Sequence, residues 1–149
     1  MRVVLWIGVG VLCATVVLFS LHLYLRGSGP PPTQLFSDDA LTRLLAVANL
    51  HTTSPDAYKA LLVMAFEDGV ELLRAEAAER LGYLWGEEAY AALRRLVRAP
   101  SPLVRCAVIA GLSARKEPPP KWLKDALKDE KDPMVKGLYS FWEKRFATP

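Results

Sequence analysis

Hydrophobic and polar positions divide the chain into three stretches. From Val3 to Leu25 no charged residue interrupts 23 positions, enough for a helix of about 34 Å against a hydrocarbon core of roughly 30 Å. From Arg26 to Gln34 the sequence reads RGSGPPPTQ. Gly and Ser loosen that stretch, and Pro30-Pro31-Pro32 favours an extended polyproline II spacer. From about residue 36 onward apolar residues recur at three- and four-residue spacings, as in Leu81, Leu84, Leu93, Leu96 and Val97. That is the pattern of amphipathic helices, and no convincing alternating strand interrupts it.

Within the third stretch the pattern repeats. The triplets Leu41-Thr42-Arg43, Leu72-Leu73-Arg74, Leu103-Val104-Arg105 and Met134-Val135-Lys136 place a base at 43, 74, 105 and 136, a constant period of 31 residues. Leu50, Leu81 and Leu112 share a second column, and Ala46, Ala77 and Val108 a third. Each unit reads as two helices. The first helices are predicted at 39–50, 70–84, 101–113 and 132–146, and the second at 55–67, 88–98 and 121–128. Asp39, Ser101 and Asp132 each lie four residues before a repeated base, where a helix N-cap belongs. Pro102 and Pro133 follow in the first turn, where a missing N–H costs nothing, and Ser54-Pro55 repeats the signature. Turns are expected at 51–54, 85–87 and 116–120. A single helix pair cannot bury its apolar stripe, whereas a stack of three or more builds one continuous core.

The run Leu73-Arg74-Ala75-Glu76-Ala77-Ala78-Glu79-Arg80-Leu81-Gly82 resembles the first helix of the short bacterial HEAT-like repeats, the type also found in bilin-attaching lyases. Val104-Arg105-Cys106-Ala107-Val108-Ile109-Ala110-Gly111-Leu112 does so as well, and Leu41-Thr42-Arg43 and Asp132-Pro133-Met134-Val135-Lys136 are divergent versions. The resemblance covers about 36–149 and implies an α-solenoid used as a protein-binding scaffold. It also implies that each repeated base bonds an Asp or a carbonyl of its neighbour.

The expected fold class is therefore all-α, with a single N-terminal transmembrane helix followed by a short α-solenoid of about three and a half HEAT-like helix pairs. The expected domains are a signal anchor at 1–26, a Gly/Pro-rich linker at 27–35 and the repeat domain at 36–149. Trp6 and Tyr24 lie near the two ends of the apolar stretch, as interfacial aromatic residues do. A cleaved signal peptide fits less well, because the stretch exceeds the usual apolar length and Pro30 follows the small pair Gly27 and Gly29. An amino end in the cytoplasm would place the domain in a bacterial periplasm, on the inner membrane. Arg2 and Arg26 flank the stretch almost symmetrically, so the charge rule that sets orientation has little to count.

Composition narrows the chemistry. The chain has 149 residues, a formal net charge of +3, two Cys and two His. That excludes a disulfide-rich scaffold and a four-cysteine zinc site, so no metal and no cofactor is expected. His51 stands alone in a turn, and Cys106 lies among apolar neighbours as a packed thiol. No His-Glu pair of the kind used by HEAT-like iron hydroxylases is present, and an enzyme is not expected.

Two features suggest partner-binding residues. No acid occurs between Glu88 and Glu117, while Arg94, Arg95, Arg98, Arg105, Arg115 and Lys116 accumulate. They form either a solvated face with counter-charges nearby or a patch for an acidic protein surface or anionic headgroups. Nucleic acid is not expected, since no base-stacking or groove-reading motif accompanies them. The last helix carries Tyr139, Phe141, Trp142 and Phe146 on an apolar arc of about 160°, wider than one seam needs. These rings close the end of the stack, or Tyr139 and Trp142 dock a partner. Loss of stability in Trp142→Ala, as against loss of capture alone, separates the two. The functional expectation is a membrane-tethered adaptor that binds a protein and contacts the bilayer through 3–25. The alternative is a small accessory subunit of a larger membrane complex.

Overall fold

Capping chemistry sets where the helices begin. In the computed structural model, which describes residues 32–50 and 55–147, a short 3-10 helix (Pro32–Phe36) precedes seven α-helices. They are α1 (Ala40–Ala48), α2 (Pro55–Glu67), α3 (Glu71–Tyr83), α4 (Glu87–Leu96), α5 (Pro102–Ser113), α6 (Lys121–Ala126) and α7 (Pro133–Ala147). Asp39 accepts the Thr42 N–H at 2.7 Å, Ser101 that of Val104 at 3.2 Å, and Asp132 those of Met134 and Val135 at 2.9 and 3.2 Å. Each satisfies donors that the first helical turn leaves without a backbone partner. At α4 the cap is Gly86, whose φ of 128° is open to glycine but strained for other residues. The shortness of α6 has a local cause. Pro118, Pro119 and Pro120 offer no N–H to a helical ladder, so the helix starts only at Lys121.

First helices α1, α3, α5 and α7 alternate along the chain with second helices α2, α4 and α6, and α2 packs mainly against α3, the first helix of the following unit. First helices pack in chain order, α1 on α3, α3 on α5 and α5 on α7, while α2, α4 and α6 form a second layer. The core between the layers includes Val47, Leu61, Leu81, Leu93, Ile109, Leu123 and Val135. Leu35, from the 3-10 helix, is buried at one end. At the other, Trp142 is only 3% exposed, and its indole N–H donates to the Glu117 carbonyl at 2.9 Å. Between α3 and α5 the backbones meet at Gly82 and Gly111. A Cβ on Gly82 would lie 2.6 Å from the Gly111 backbone.

The expected fold, a transmembrane helix followed by a solenoid, is corrected to an all-α arrangement of two helix layers. Among the described residues no helix is long and apolar enough to cross a membrane. The segment 3–25, the linker up to residue 31, the turn at 51–54, the Ser54 cap and His51 lie outside the described residues. Near the linker's end, the 3-10 helix turns Leu35 into the core rather than continuing an extended spacer. The second helices α4 and α6 stop at 96 and 126, two residues short of the sequence prediction in each case.

Candidate functional site

Three of the four repeated bases, Arg43, Arg74 and Arg105, make a ladder within the fold, whereas Lys136 is exposed. The guanidinium of Arg43 donates to the Ser37 carbonyl at 2.7 Å, Arg74 to that of Asp68 at 2.7 Å, and Arg105 to that of Ala99 at 2.8 Å. Each acceptor lies six residues back, just before the helix that carries the base. Arg43 also pairs with Asp68 at 3.0 Å and Arg105 with Glu130 at 2.7 Å, acids 25 residues further on. The Arg105 hydrogen bonds hold the Glu130 carboxyl below its usual 4.5. In the middle repeat the equivalent position is Ala99, so Arg74 keeps the carbonyl bond without a carboxylate. Bidentate Arg–carboxylate pairs are geometrically demanding, and these are half-buried. Arg105 is therefore spent on folding, and its guanidinium is not presented outward.

Arg115 is also committed. It donates to the carbonyls of Gly82 (2.6 Å) and Leu84 and to the Tyr90 hydroxyl, and lies over the Trp85 ring at 4.6 Å. Arg80 caps α1 similarly through the Ala48 carbonyl. Both arginines satisfy carbonyls that helix ends leave open. Lys116 has φ of 58°, the left-handed turn that ends the α5 segment. Trp142 is closed into the core, and Tyr139 is half-buried against it. Arg105, Arg115, Tyr139 and Trp142 thus make contacts within the fold, whereas the Lys116 side chain is exposed.

Arg94, Arg95 and Arg98 differ. All three are exposed on or just after α4 and, among the described residues, make no ion pair. Arg95 lies over the Phe66 ring of α2 at 4.5 Å, and Arg94 over Trp122 of α6 at 5.7 Å. A ring on one face holds a guanidinium still and leaves its N–H edge available.

Beside these arginines a groove of about 1220 Å³ runs between α2 and α4. Leu62, Val63 and Phe66 form one wall, Ala91, Ala92 and Arg95 the other, and Trp85 stands at the end where Glu87 and Glu88 begin α4. Tyr58 also lines it, and its hydroxyl is buried without a hydrogen-bond partner among the described residues. Burial, with the nearby Glu88 charge, raises the Tyr58 pKa. Sequence periodicity did not single out this groove. Trp85 lies in a turn, where no helical spacing marks it, although an aromatic residue beside Gly86 was a visible signal. No cluster of His, Cys, Asp or Glu suited to a metal occurs among the described residues.

Alternating helices with this ladder, stacked in chain order, are a repeat architecture, and residues 58–139 match the family described as HEAT repeats. The chain belongs to the HEAT repeat family. The matched region runs from α2 into α7, so both the arginines of α4 and the groove lie within the HEAT repeats. Neither a curated protein nor a solved structure matches this HEAT-repeat chain.

Proposed function

We propose that this HEAT-repeat protein is a non-enzymatic scaffold that captures a protein segment on its second-helix face. The observation that carries the reading is the open apolar groove of about 1220 Å³ between α2 and α4, ended by exposed Trp85 and Arg95. Large exposed aromatic rings beside unpaired arginines are the residue types that dominate binding energy at protein interfaces. The segment that fits is amphipathic. Its apolar side chains enter between Val63, Phe66 and Trp85, and its carboxylates lie over Arg94, Arg95 and Arg98. The Tyr58 hydroxyl gains a polar partner from it, which offsets a desolvation cost of about 1–3 kcal/mol.

Site-specific photo-crosslinking in the native cells tests this. A photoreactive residue at Val63 or Arg98 of the full chain is expected to trap one defined protein other than this chain, and the same residue at Lys144 is not expected to trap that protein. Trp85→Ala combined with Arg95→Glu should abolish the product while circular dichroism stays unchanged. Equal trapping of that protein from both faces, or none from Val63 and Arg98, overturns the proposal.

A further inference from the structure

The repeated triplet holds a second pattern, on the opposite layer. Its third residue builds the ladder at Arg43, Arg74 and Arg105, and its middle residue is buried at Leu73, Val104 and Val135. The first is exposed in every repeat: Leu41 62%, Leu72 51%, Leu103 37% and Met134 56%. Isolated surface hydrophobics are ordinary, but a row with one member on each first helix is not. With helices packed about 8–10 Å apart, the row runs roughly 30 Å across α1, α3, α5 and α7. Leu45 and Phe141 extend it at its two ends, and both are exposed.

Charge along the row is polarised. Asp38, Asp39 and Glu71 are exposed at the α1 and α3 end, with Glu79 half-buried beside them and Glu76 paired with Arg80 at 3.1 Å. At the other end Lys131, Lys144 and Arg145 are exposed around α7, outnumbering the exposed Asp129 and the half-buried Asp132 and Glu143, and α5 contributes no acid. A surface that is acidic at one end, basic at the other and apolar along its length is complementary to itself when turned end for end.

We infer that the first-helix face binds a second copy of this chain in an antiparallel, two-fold arrangement. Leu72 of each copy meets Leu103 of the other, and Leu41 meets Met134. Asp38 and Asp39 then face Lys131 across the axis. Such an isologous contact closes after two copies, which prevents the exposed row from nucleating open filaments. It leaves the second-helix groove free on both copies, so it is independent of the scaffold proposal.

Disulfide trapping with the full chain tests the geometry. Chains carrying Leu41→Cys mixed with chains carrying Met134→Cys should yield a cross-linked pair, above the background of the natural Cys13 and Cys106. Leu41→Cys alone should not bridge to itself. Leu72→Glu with Leu103→Glu, both at exposed positions, should remove the product by at least tenfold. Lys131→Asp should weaken trapping, and mixing it with Asp38→Lys chains should restore it. Self-bridging of Leu41→Cys would indicate a parallel contact. Bridging that survives Leu72→Glu with Leu103→Glu would place association elsewhere, on residues 1–31 or an end of the stack. Absence of any bridge would indicate a free face. Each of these three results overturns the inference.

Discussion

Ala99 is the residue at which the ladder fails. It occupies the loop position that Asp68 and Glu130 fill in the flanking repeats, 31 residues away on either side. An acid there would receive the Arg74 guanidinium as Asp68 receives that of Arg43. Ala99→Asp is expected to stabilise the fold by about 1 kcal/mol, modest because the site is half-exposed. That corresponds to a rise of roughly 4–8 °C in melting temperature, read by calorimetry. The complete rung at Glu130 predicts a pH dependence. Its folded pKa lies below the usual 4.5, so the rung's stabilisation is full above the unfolded value and fades as pH falls through the folded one. The melting-temperature gap between wild type and Glu130→Gln should therefore be widest near neutral pH and close progressively below 4.5. The basic column was legible in the sequence because its members share one period. Its acidic partners were harder to see, since they lie in loops that carry no helical spacing and one of them is missing.

At the scale of elements, hydrophobic spacing predicted the first helices to within two residues at each end, because caps and prolines mark their starts chemically. It overran α4 and α6 by two residues each. The contact between α3 and α5 was visible only as two glycines near small residues. Alanine in a helix interior is ordinarily favoured over glycine by about 0.5–1 kcal/mol. At Gly111 the added methyl would run into the Glu79 carbonyl of the facing helix. Gly111→Ala should therefore destabilise by about 1–3 kcal/mol, the usual cost of overpacking, in urea titration. An increase in stability would mean that the two helices part easily.

For the whole molecule, stability in a stack is a sum over neighbouring repeats, so its ends matter as much as its middle. Leu35 covers one end and Trp142 the other. Trp142→Ala leaves a cavity and an unpaired Glu117 carbonyl, and should cost about 3–5 kcal/mol in chemical denaturation. Little change would return Trp142 to the candidate docking residues. The solenoid was readable from the 31-residue period, while the groove of the proposed function was not. Local charge runs mixed arginines that fold the chain with arginines that face outward, and only the packing of α4 between Phe66 and Trp122 separates them.

The placement of the three indoles among the described residues has a practical outcome, read in a Trp6→Phe background. Trp142 sits in an apolar interior, Trp122 lies beneath a guanidinium, and Trp85 projects beside the groove with Arg115 against its ring. Indole emission shifts to the blue as water leaves the ring. Occupation of the groove should therefore register in the red tail contributed by Trp85, and Trp142 serves as an internal reference. The protein carries its own optical gauge for the proposed binding face, and ligand titrations can be followed without attaching a dye.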